Sequence, residues 1–137
     1  MSFHNVVESR TYIASGDLSG LQYRIVDLIS NQPLKIGHSL ADVGFGVLLN
    51  MPKAGEHAEV AVEGEVEVKA GAAVQAGQLI GSAASGWATP ISAQSVQVAS
   101  GTVLISKTVL GRAVTGAASG SLFVLEFDRQ RITVASA

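Results

Sequence analysis

The sequence contains no cysteine. That excludes a disulfide framework, a thiolate metal site and a thiol nucleophile. Charge is sparse: 15% of the 137 residues, with a net charge of -2, where a usual domain carries about a quarter. A slightly acidic chain without clustered Lys and Arg is a poor partner for nucleic-acid phosphates. No apolar run is long enough to span a membrane. Met1 to Arg10 holds His4 and Glu8 and lacks an apolar core, so it does not read as a secretory signal. Aromatics are only 5%, with a single tryptophan. The simplest expectation is a cytoplasmic or assembly-borne product.

What is present is small, branched apolar mass. Hydrophobic residues reach 47%, chiefly Ala and Val with Leu and Ile. The length fits one domain, and such a chain buries roughly two-thirds of its unfolded surface without a covalent staple. Much of its surface is neutral, which fits coverage by a partner or by copies of itself.

Gly/Ser turns punctuate short β-branched runs, at Ser15-Gly16-Asp17, Ser30 to Pro33, Met51 to Gly55, Ala70-Gly71, Ser82 to Gly86, Ser100-Gly101 and Gly116 to Gly120. The segments between them have the length and spacing of an all-β sandwich or barrel. No segment sustains an apolar helical period over three turns. Ser39 to Asp42, Ala70 to Gln78 and Ala93 to Ala99 are weak helix candidates, and in the last two glycines and β-branched residues spoil the pattern.

The clearest strand is Ala58 to Lys69. Alternation predicts Val60, Val62, Val66 and Val68 on one face, and Glu59, Glu63, Glu65 and Glu67 on the other. Gly64 interrupts the series, which predicts a bend, a bulge or a close backbone approach. Further strands are expected over 21–29, 43–50, 78–81, 87–91, 102–106, 109–114, 122–127 and 132–134. Arg129 and Arg131 alternate with Gln130 and Ile132 as an edge strand would. Residues 1–14 have no partner strand nearby in sequence. They read as an N-terminal arm ordered only when something holds it, ahead of a β-rich domain over 15–137.

The chemistry-bearing residues are dispersed. No Gly-x-Ser-x-Gly elbow or P-loop occurs. Gly44-Phe45-Gly46 begins like a dinucleotide fingerprint, but Leu49 and the missing helix make it a pair of glycines in a tightly packed strand. His4, His38 and His57 are scattered, His57 as a turn residue and His38 as a loop residue. The ladder Glu56, Glu59, Glu63, Glu65, Glu67 spreads its charge along a strand instead of converging on a cation. It reads as a solvated or partner-facing face, and as a device against edge pairing. Trp87 is either a core side chain or an interface anchor. No catalytic residue, cofactor site or metal site is expected.

The order of motifs resembles a known family. Tyr12 to Ser19 opens the pattern, followed by Phe45 to Glu56 and Ala58 to Gly64. Then come Val68 to Leu79, Gly111 to Val114 and Gly120 to Phe127. This resembles the capsid decoration (cement) proteins of tailed double-stranded-DNA bacteriophages, over roughly residues 12–127. Ser85-Gly86-Trp87 and the N-terminal arm depart from the pattern. The resemblance implies a structural virion protein on the outer surface of the mature head, assembled in the host cytoplasm. It implies a homotrimer whose partner is the major capsid protein, bridging coat subunits and stabilising the capsid, with no nucleic-acid or membrane partner. The arm would add a strand to an exposed coat-protein sheet edge. Its loss would abolish capsid binding and spare the fold. Phe3, His4, Val6, Val7, Arg10, Tyr12 and Trp87 are then the candidate contacts to coat protein or neighbouring subunits. The rival readings are a biotinyl or lipoyl carrier domain with Lys69 as its only candidate lysine, a small sugar- or metal-handling barrel enzyme, and a phage fibre or adhesin module.

Overall fold

A computed structural model describes residues 5–29, 32, 34–38, 44–91, 97–98, 101–102 and 104–135. The chain is all-β, as its punctuation predicts. The strands are β1 (Asn5–Ala14), β2 (Ile25–Leu28), β3 (Lys35–His38), β4 (Gly46–Leu48), β5 (His57–Lys69), β6 (Leu79–Ser82), β7 (Ala88–Ile91), β8 (Gln97–Val98), β9 (Gly101–Thr102), β10 (Leu104–Ala113) and β11 (Leu122–Ala135). A single turn of 3-10 helix covers Ala84–Gly86.

The strand order β1-β3-β2-β4-β5 closes on itself, because β1 also pairs with β5. This is a five-stranded barrel. Its core holds Ala14, Leu18, Val26, Ile36, Leu48, Ala58 and Val60, with Tyr12 and Phe45 packed against it. From Gly64 β5 runs beside β11, and beyond Glu65 it leaves this barrel's pairings; β10, β6 and β7 follow β11 in the sheet. An isolated bridge from Ala70 to Ala88 brings β7 back to the end of β5. A second core fills this half, with Val66, Val68, Ile80, Leu110, Phe123, Leu125 and Phe127 fully or almost fully buried.

One strand therefore serves both halves, and a bulge makes that possible. In the β1–β5 register Glu8 stands opposite Glu63 but Ser9 stands opposite Ala61, so Val62 is an extra residue. Gly64 follows with φ at +112°. An extra residue reverses the in/out alternation of everything after it. Ala58 and Val60 consequently fill the first core, while Val66 and Val68 fill the second. The single valine face expected from strict alternation is thus corrected, and the interruption expected at Gly64 is where the strand changes partners.

Residues 5–14, expected as an arm held only by something else, form β1 and are held by the chain itself. The partner is distant in sequence: Ile13 stands opposite His57 of β5 and Lys35 of β3. The N–H of Ala14 donates to the Glu56 carbonyl at 2.9 Å. The expected strands 102–106 and 109–114 are largely merged in β10, and 122–127 and 132–134 in β11. β3 lies outside the strands expected from the sequence, and His38 ends it instead of lying in a loop. The helix candidate over 70–78 forms irregular backbone, tied to the β10–β11 connection by reciprocal Val74–Ala117 hydrogen bonds of 2.8 and 2.9 Å. The candidate at 39–42 lies outside the described residues. Of the one at 93–99, only the short strand β8 is described.

Candidate interaction surface

The expected contact residues are dispersed, and several are engaged within the chain. Phe3 and His4 lie outside the described residues, as does the side chain of Val7. Val6 packs against the second core. Arg10 is exposed and forms an ion pair with Glu8, Nε to Oε2 2.6 Å. Tyr12 packs edge-on against Phe45, ring centres 5.5 Å apart and planes at 84°. It seals the first barrel as well as reaching its surface.

Trp87 follows the 3-10 turn and is half-buried. The guanidinium of Arg24 lies 3.9 Å from its ring centre. Such a stack contributes about 0.5–2 kcal/mol, depending on desolvation. The backbone of Gly71 passes so close that a Cβ there would lie 2.6 Å from the Trp87 Cβ. Trp87 therefore packs between the approach to β2 and the end of β5. Sequence alone does not reveal the Arg24 contact, because the two residues lie on elements distant in sequence.

The outward face of the second half is the broadest surface with mixed character. On β11, Phe123, Leu125 and Phe127 point inward, and Leu122, Val124 and Glu126 point outward. Val114 lies beside Val124, donating its N–H to the Val124 carbonyl at 2.7 Å. Leu122 and Val114 are 40% and 42% exposed. Further exposed apolar side chains are Leu34, Met51 and Leu28 on the first barrel.

Acidic residues border this face. Glu65 stands opposite Glu126, and Glu63 opposite Glu8. Arg112 is next to Glu126 in register but donates from Nη1 to the Gly77 carbonyl at 3.0 Å. Glu8 is paired with Arg10. The expected ladder is not one uniform face. Glu67 is buried, 7% exposed, and Glu59 accepts a 2.7 Å bond from the Thr11 hydroxyl. The bulge places Glu59 on the side opposite Glu63, Glu65 and Glu67.

Catalytic geometry is sparse in what is described. No group of three or more His, Asp or Glu is placed to hold a metal among the described residues. Gly46 lies fully buried in β4 against Val60, which is the packed-strand reading expected for the Gly44-Phe45-Gly46 stretch. Lys69 lies within β5 opposite Leu122, not at the hairpin tip that a swinging-cofactor lysine occupies.

The model of the phage cement proteins matches residues 20–127, from the approach to β2 through the part of β11 that pairs with β5. The chain belongs to the phage cement protein family. As a cement protein it is a structural component of the phage head and associates with the capsid. No curated protein matches its sequence. The head fiber gp8.5 N base of bacteriophage phi29 has a similar fold. The two share a TM-score of 0.65 at 21% identity, over 91% of this chain and 97% of that one. The matched stretch contributes to both cores of this cement protein. β1 and the last residues of β11 lie beyond it.

Proposed function

We propose that the chain binds the outer surface of the mature phage head as a trimer, bridges neighbouring coat subunits and stabilises the capsid. The role is structural and not enzymatic. The observation that carries this reading is membership of the cement family over residues 20–127. The surface supports it: few charges, exposed apolar side chains on both halves, and an outward sheet face that mixes Leu122 and Val114 with the carboxylates of Glu65 and Glu126.

The physics of such a role is multivalency. A trimer that touches several coat subunits makes each contact within the effective concentration set by the others. Weak individual contacts then sum to tight binding, and pulling coat subunits apart requires breaking several contacts together. Internal DNA pressure loads the same coat–coat seams that the trimer spans.

The test is co-sedimentation of the purified protein with expanded heads that lack it, followed by heating of the decorated particles. Saturable binding at a stoichiometry matching the three-fold sites, with raised resistance to rupture, is the expected result. Heads that sediment without the protein, or that rupture at the same temperature when decorated, would overturn the reading.

A further inference from the structure

Two cations and the tryptophan converge where the first barrel meets the second half. Arg24 precedes β2, Lys69 ends β5 and Trp87 precedes β7. The Lys69 N–H donates to the Tyr23 carbonyl at 2.9 Å, one residue from Arg24. Val68 and Ala70 are fully buried, so Lys69 and Gly71 turn to the opposite face. Trp87 packs on that face against Gly71, with the Arg24 guanidinium 3.9 Å from its ring centre. Leu122, 40% exposed, stands opposite Lys69 on β11.

Both cations lack an anion. Among the described residues neither Arg24 nor Lys69 forms an ion pair. Glu67 shares the face of Lys69 but is buried with a partner of its own. The Arg24 Nη1 donates to the Ser85 carbonyl at 3.5 Å, which is long for a strong bond. Its Nε is buried without a hydrogen-bond partner, a cost to the isolated chain that a nearby anion offsets. The stack on Trp87 holds the guanidinium plane in place, and a planar fork held this way matches a carboxylate.

The surrounding charge selects the anion. Glu65 and Glu126 stand opposite each other further along the same face. They repel a polyanion such as DNA, which needs a run of cations along its phosphates. A single carboxylate with an apolar neighbour meets Arg24, Lys69 and Leu122 without approaching those two acids. We propose that Arg24, Lys69 and Trp87 form a docking site for an acidic side chain of the coat protein, with Leu122 receiving an apolar neighbour of that acid. Arg and Trp are the side chains that most often dominate such contacts. This rests on the head-binding role proposed above and names the chemistry of one contact within it.

The experiment is co-sedimentation with expanded heads that lack the protein, for the full chain, Lys69→Glu, Arg24→Gln and Lys53→Glu, each first checked for its thermal transition. Lys69→Glu leaves the Trp87 stack in place, so it tests the site even where Arg24→Gln loosens the fold. Lys53, exposed between β4 and β5, controls for net charge. Binding of the full chain is expected to weaken as salt rises. Lys69→Glu and Arg24→Gln are expected to bind heads at least tenfold more weakly, and Lys53→Glu to bind like the full chain. Decorated heads are also treated with a carbodiimide, which joins a lysine amine to a carboxylate in contact with it. Mass spectrometry of the peptides is expected to find Lys69 joined to an Asp or Glu of the coat protein. Lys69→Glu binding like the full chain overturns the proposal, as does Lys53→Glu weakened to the same extent. Lys69 left unjoined, or joined only to carboxylates of this chain, overturns it too. Free DNA retained by the full chain and released by Lys69→Glu overturns it in favour of a phosphate ligand. A full chain that ignores heads removes the cement role itself, and the docking site with it.

Discussion

Val60 and Val66 stand on one strand, yet Val60 fills the first core and Val66 the second. The bulge at Val62 and the turn of backbone at Gly64 separate them. Gly64 therefore sets the division of the molecule. Gly64→Ala puts a side chain on a residue with φ at +112° and is expected to destabilise the fold by about 1–3 kcal/mol. Urea denaturation measures this. An unchanged midpoint would contradict the role assigned to the bulge.

Arg24 and Trp87 tie the approach to β2 to the start of β7. Trp87→Ala is expected to cost about 2–4 kcal/mol, less than a fully buried aromatic, since the ring is half-exposed. A double-mutant cycle with Arg24→Ala should return a coupling of about 0.5–2 kcal/mol. Strict additivity would show that the stack contributes nothing.

Removal of residues 1–14 takes away β1 and opens the first barrel, exposing the core side chains around Ile36 and Val60. The truncated chain is expected to lose on the order of 10 °C or more of its thermal midpoint, or its cooperative transition altogether. Within the full chain, Tyr12→Ala should cost about 1–3 kcal/mol through lost packing on Phe45. A truncated chain as stable as the full one would restore the reading of this segment as a free arm.

Asp17 accepts hydrogen bonds from the Ser19 hydroxyl and N–H, at 2.7 and 3.0 Å. These bonds hold its carboxyl below the ordinary aspartate value. A carboxylate whose folded pKa is depressed stabilises the fold above its unfolded pKa, and that contribution is lost as pH falls through the folded pKa. Asp17→Asn should therefore lower stability slightly at neutral pH, and the difference should fade below about pH 4. Thermal midpoints compared across that range check it. A difference that grows in acid would contradict the sign.

The all-β class and most strands were legible in the chain because Val-rich alternation and Gly/Ser turns are local signals. β5 was read nearly to its ends. Its change of face was not, since a bulge is defined by register against β1, and register is not written in the strand's own residues. β1 is hidden in the sequence for a related reason: its partner, β5, begins more than forty residues away. β3 is short, and its residues Lys35-Ile36-Gly37-His38 carry little strand signal. The site was less legible still. Family resemblance indicated a head protein, but Val6 and Tyr12 proved to pack at least partly inward, and Trp87 proved to be stacked on Arg24.

A cryo-electron-microscopy reconstruction of expanded heads decorated with the purified protein tests the cement role most directly. The account predicts trimeric density at three-fold or quasi-three-fold positions on the outer surface, each trimer touching more than one coat subunit. Bare head surfaces, or density confined to another part of the virion, would contradict it.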